Sequence, residues 1–146
     1  GFFLRFEHAA GSEELPTTPP VVKNGHVVFA TFKPDMRPCK AGSARLYSLN
    51  LATGRGDWEG EQKYREVENV KISGLTVHGN KIYAGVTALL GNPDAQLKAA
   101  FGGSATRNPG SGNQNLLVLD TPPGFPKDPS SANVGRYHRL FWKKRF

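Results

Sequence analysis

Asn24-Gly25-His26-Val27-Val28-Phe29-Ala30 returns later in the chain as His78-Gly79-Asn80-Lys81-Ile82-Tyr83-Ala84. Each copy places a short turn signal before a run of β-branched and aromatic side chains, the signature of a hairpin. A second pair follows: Arg45-Leu46-Tyr47-Ser48-Leu49-Asn50 returns as Asn115-Leu116-Leu117-Val118-Leu119-Asp120. A glycine turn follows each, at Gly54 and Gly124. The unit is thus an apolar strand, a glycine turn, a strand ending in small residues, a loop, and a Leu-x-x-Leu-Asn/Asp strand. The second unit is the longer, with an insertion between Thr87 and Asn115.

A repeat of this length with three or four short strands reads as a β-propeller blade. The expectation is an all-β fold of antiparallel blades, with residues 1–66 as the first unit. Residues 67–146 form the second, with its insertion at 88–114. A blade must stack on neighbours to bury both faces, and propellers typically need four to eight. About two blades make an incomplete ring, so the remaining blades are expected elsewhere, on the same parent chain or on another. A chain that opens on Gly1 fits a piece of a longer one.

Strands are expected at Phe2–Phe6, 20–22, 27–32, 44–51, 70–72, 75–77, 81–87, 115–120 and 138–144. Only Pro93 to Ala100 looks helical, with Asp94 near its start and Leu97 and Phe101 four apart. Gly 17 and Pro 11 in 146 residues favour many turns over long helices. No apolar run approaches the ~20 residues needed to span a bilayer.

The net charge of +7 owes much to Arg136, Arg139, Lys143, Lys144 and Arg145. These alternate with apolar groups, so a solvated edge strand is expected there rather than nucleic-acid binding. Cys39 is the only cysteine, which excludes an internal disulfide and a Cys-x-x-Cys site. His8, His26, His78 and His138 lack ligand spacing and read as surface or strand residues. Glu13-Glu14 and Glu59-Gly60-Glu61 read as solvated loops, and Ser12, Ser73 and Ser104 lie in no nucleophile elbow. No catalytic residue, metal site or cofactor is expected.

Leu46-Tyr47-Ser48-Leu49-Asn50-Leu51-Ala52-Thr53-Gly54, followed by Trp58, resembles the blade-ending signature of quinoprotein-type propellers. There the Thr-Gly turn closes a blade and the Trp docks between blades. The wider order narrows the likeness: Gly1-Phe2-Phe3-Leu4, Gly11 to Glu14, Pro20-Val21-Val22, Val28 to Pro34, Pro38-Cys39-Lys40-Ala41-Gly42 and Leu46 to Leu49. This order resembles the C-terminal propeller of the PilC/PilY family of type IV pilus tip and biogenesis adhesins. Gly74-Leu75, Tyr83 and Phe141-Trp142-Lys143 match the family more loosely. The resemblance implies a non-catalytic structural or adhesive module, extracellular and pilus-associated. Its implied partners are minor pilins, the pilus tip, or a host or surface ligand. The sequence has no Asp-x-Asp-x-Asp/Asn loop, so the family's calcium switch is not carried over. The alternative is a fragment of a quinoprotein (pyrroloquinoline quinone) dehydrogenase, which would need a quinone pocket and calcium ligands.

Contacts are expected on loops. The long, Gly-Ser-rich 88–114 segment comes first, with Leu89, Leu90, Leu97, Phe101 and Arg107 as anchoring groups. Two others are secondary: the loop of Cys39, a candidate intermolecular thiol, and Arg55-Gly56-Asp57. The latter spells the integrin-recognition tripeptide and needs an exposed, tight loop to act as one.

Overall fold

The computed structural model describes residues 2–6, 13–102, 106–109 and 114–127. The basic tail and the strand expected at 138–144 lie outside them. The fold is all-β: the described residues form two antiparallel sheets, one short α-helix and a 3-10 turn at Glu59–Glu61.

The first sheet holds β1 (Leu15–Pro16), β2 (Val21–Lys23), β3 (His26–Pro34), β4 (Gly42–Asn50) and β5 (Tyr64–Glu68). Strands β2 to β5 run as an up-and-down meander, and β1 shares with β2 the outer edge of β3. The second sheet holds β6 (Val70–His78), β7 (Lys81–Ala88), β8 (Thr106–Pro109) and β9 (Gln114–Asp120), in the order β6-β7-β9-β8. The chain passes from one sheet to the other at Asn69. Among the described residues neither sheet closes on itself.

Both repeated hairpins form, each with a tight turn between its strands. Asn24 and Gly25 both take positive φ, at 52° and 78°, as a type I′ turn requires. In the second hairpin only Gly79 does, at 59°, the pattern of type II′. Gly25 is therefore the second turn residue and Gly79 the first. This difference leaves the facing intact, because Val28 and Ala30 enter the same core as Ile82 and Ala84.

The later repeat behaves differently. Leu46 is fully buried between the sheets, whereas Leu116, its match in the sequence repeat, is exposed. Ser48 pairs Val28 and Leu119 pairs Ile82, so the structural counterpart of Ser48 is Leu119 rather than Val118. Side chains alternate faces along a strand, and a slip of a single position inverts every one.

The core lies between the sheets. Val28, Ala30, Ala44, Leu46 and Val67 from the first meet Val70, Ile72, Ile82, Ala84, Val86, Leu117 and Leu119 from the second. β7 alternates buried with half-buried or exposed residues, as a strand covered on one face does. β4 is buried on both faces from Gly42 to Leu49, so something covers the first sheet's outer side. Phe6 and the Glu13–Thr18 segment contribute to that cover. Phe2–Phe6, expected as a strand, lies on this chain outside any strand.

The 88–114 segment is not a plain loop. It contains helix α1 (Asp94–Phe101) and the edge strand β8. The helix packs on β5 of the other sheet, so the insertion braces the two sheets together. Leu97 is buried in the core and Phe101 packs against it.

Candidate functional site

Strand directions divide the loops between two ends. One end gathers the turns after β2, β4, β6 and β9. The other gathers the Asp35–Ala41 loop, Asn69 and the segment after β7.

At the first end, Arg55-Gly56-Asp57 serves the fold. Asp57 is buried, with its carboxylate oxygens 2.9 Å from the His26 Nδ1. It also accepts the Ser48 hydroxyl at 2.7 Å. Its amide donates to the Ser48 carbonyl, and its own carbonyl accepts the Gly124 amide. Gly124 approaches so closely that a Cβ there would stand 2.9 Å from the Asp57 Cα. The His26 ring lies 5.2 Å from the Phe125 ring. Neighbouring Trp58 donates its Nε1–H to the Leu46 carbonyl at 3.1 Å and meets Phe101 at 5.9 Å. This junction ties the first sheet to the strand exit of the second. An integrin-type tripeptide must present its Asp carboxylate outward, and this one faces inward; only Arg55 is exposed. The expectation of a recognition loop here is corrected on that ground.

The same junction places Ser48, His26 and Asp57 together, yet not as a nucleophilic triad. In a triad the imidazole stands between serine and carboxylate to take the hydroxyl proton. Here the carboxylate stands between, and Ser48 is fully buried. His26, expected as an ordinary strand or surface residue, is a buried partner of Asp57.

Glu14, expected in a solvated loop, is also buried. Its carboxylate accepts Thr31 Oγ1–H at 2.5 Å, Tyr47 O–H at 2.7 Å and Arg45 Nη1–H at 2.9 Å. Burial, and the Glu14 carboxylate that accepts its proton, push the Tyr47 hydroxyl above its ordinary range. A carboxylate seated among three donors is a structural clamp; the sequence signal for it was the alternation Arg45, Tyr47 on one strand face.

The opposite end is the candidate functional surface. Asn69 organises it: its amide donates to the Gly42 carbonyl at 2.7 Å, and its side chain accepts the Ala41 amide. Its own carbonyl accepts the Leu89 amide at 2.9 Å. Two segments far apart in sequence, the Cys39 loop and Leu89-Leu90, thus come to one end. Leu89 and Leu90 are exposed, Met36 is 79% exposed, and the Cys39 thiol is free and exposed. Beside them lies a polar cleft of about 270 Å³, lined among others by Lys33, Asp35, Arg37, Lys40, Glu66 and Glu68. Arg37, which chelates the Asp35 carboxylate, lowers it to about 2.

Of the expected contact residues, this end therefore collects Leu89, Leu90 and Cys39. Leu97 and Phe101 belong to the core instead. The backbone of Arg107 lies in β8, paired opposite Leu117. Met36 and Asn69 were missed: the first is a lone methionine in a turn-rich stretch. The second shows its role only through its left-handed φ of 57°. Among the described residues no group of three or more His, Cys, Asp or Glu side chains is placed to hold a metal ion. No described helix is long and apolar enough to cross a membrane. Comparison with family models, with curated proteins and with solved structures finds no match for this chain.

Proposed function

We propose that the two sheets are consecutive blades of a larger β-propeller and that the chain is a non-catalytic adhesive and assembly module. The β2–β5 meander has blade order, and the two sheets stack face to face through one core. Trp58, the expected docking Trp, bonds to Leu46 of the first sheet and meets Phe101 of the insertion, which supports the reading. These features, with the sequence likeness to the PilC/PilY family, favour a place at a type IV pilus tip or in its assembly.

One observation carries the binding part: exposed Met36, Leu89, Leu90 and Cys39 gather at one end of a braced frame. Exposed apolar groups rimmed by charge are the usual make-up of a contact surface. The contact is a minor pilin or an external ligand. The test substitutes Met36→Ser, Leu89→Ser and Leu90→Ser together in the parent protein of the source cell. Normal protein abundance with lost pilus assembly or adhesion supports the reading. Normal assembly and adhesion at normal abundance contradicts it.

A further inference from the structure

The outer face of the first sheet is aromatic. Phe29 and Tyr47 stack there with centroids 4.9 Å apart and planes 4° from parallel, and Tyr64 lies 5.0 Å from Tyr47. Phe6 stands edge-on to both Phe29 and Tyr47. The Glu13–Thr18 segment runs along the β3 edge beside this face. Among the described residues its backbone pairs with β3 over the two residues of β1, and Thr17 N–H donates to the Ala30 carbonyl. Ala30 N–H in turn donates to Thr18 Oγ1 at 2.8 Å. Thr17 Oγ1 also reaches the Ala30 carbonyl at 3.4 Å, and Glu14 adds a side chain fully buried on Arg45, Tyr47 and Thr31.

Arg45 has a second carboxylate within reach. Its Nε is 3.6 Å from Glu66 Oε2 on β5, and its guanidinium lies 4.5 Å above the Tyr64 ring. Unlike Glu14, Glu66 is 38% exposed at its side chain. An orphaned buried charge makes the breaking of an ion pair costly. Here Glu66 already lies within ion-pair distance of Arg45 at the water-facing side, so loss of Glu14 alone leaves Arg45 with a carboxylate.

We infer that Glu13–Thr18 is a releasable strap, which opens as a unit while both sheets stay folded. The Glu14–Arg45 pair holds it shut, and Glu66 receives Arg45 when it opens. The strap governs access to the Phe29, Tyr47 and Tyr64 face. Short edge segments with few backbone bonds are where local opening occurs below the global unfolding energy.

The test is amide hydrogen exchange on the intact parent protein and on its Glu14→Gln and Glu66→Gln variants. Glu14→Gln weakens the closed state, so the Thr17 and Ala30 amides exchange at least about tenfold faster, while Ile82 and Ala84 on β7 keep their rates. Glu66→Gln removes the open-state partner, so the Thr17 and Ala30 amides slow. The opposite signs set the strap apart from a static clamp, which either variant would only loosen. Acceleration spread equally to β7 in Glu14→Gln overturns the inference, as do equal rates in all three proteins. If Glu14→Gln does not fold, Glu66→Gln decides alone: slower exchange supports the strap, and unchanged or faster exchange overturns it.

Discussion

Asp57 holds His26 and Ser48 at once, with both of its carboxylate oxygens 2.9 Å from the imidazole nitrogen. The three side chains come from β3, β4 and the turn after β4, and the turn that leaves the second sheet lies against them through Gly124 and Phe125. Removing the carboxylate leaves two buried polar groups without their shared partner. Asp57→Ala is expected to cost about 3–5 kcal/mol, and Arg55→Ala less than about 0.5 kcal/mol. Denaturant midpoints of the two variants check this. Were the tripeptide a recognition site, Arg55→Ala would abolish binding while leaving stability unchanged.

The insertion is a brace, so its two kinds of leucine must differ. Leu97→Ala opens a cavity between α1 and the core and is expected to cost about 2–5 kcal/mol. Leu90→Ser touches an exposed position and should change stability by no more than about 0.5 kcal/mol. Urea unfolding of both variants reads the difference. Equal small effects would return the whole 88–114 segment to the status of a loop.

Gly56 is fixed by close approach. A Cβ there would overlap the Gln62 carbonyl, and that backbone contact has no flexible side chain to yield. Gly60 instead has positive φ, at 72°, and nothing stands near its missing side chain. Gly56→Ala should therefore abolish folded protein, whereas Gly60→Ala should cost only about 1 kcal/mol of left-handed strain. Soluble yield and thermal midpoints separate the two.

Tyr47 gives a pH dependence with a definite sign. Its folded-state value is raised, so the neutral phenol is what the fold favours. Below about pH 10 the phenol is neutral in folded and unfolded chains alike, and its contribution is fully present. As pH rises above 10 the unfolded chain releases a proton that the fold retains, and stability falls. Tyr47→Phe removes this slope. Stability measured between pH 8 and 11 should decline more steeply for the wild-type chain than for the variant.

The repeat at 24–30 and 78–84 was readable because hairpin turns and β-branched runs are local properties. So was the helix, from Leu97 and Phe101 four apart. The slip between β4 and β9 was not readable, because Leu-rich strands match equally well in either facing, and only the partner strand fixes which leucine points inward. β5 was missed for a different reason. Tyr64-Arg65-Glu66-Val67-Glu68 carries one buried aliphatic side chain, Val67, and owes its strand to pairing with β4. The burial of Glu14 and Asp57 was hidden because their partners, Arg45 and His26, are distant in sequence. At the candidate surface, Cys39, Leu89 and Leu90 stood out singly. Their gathering depends on Asn69, whose three backbone and side-chain bonds no local pattern announces.

The central claim is that these sheets are neighbouring blades of a ring, and a structure of the intact parent protein tests it most directly. The measurement is the rotation that superposes β2-β3-β4 on β6-β7-β9, together with what lies on the outer face of the second sheet at Tyr83 and Leu116. Neighbouring blades predict a rotation of about 45–90° about a common axis, as four to eight blades require, with a further sheet packed on that face. A pair of sheets related by no such axis, with Tyr83 and Leu116 open to solvent in the intact protein, would contradict it and leave a two-sheet sandwich.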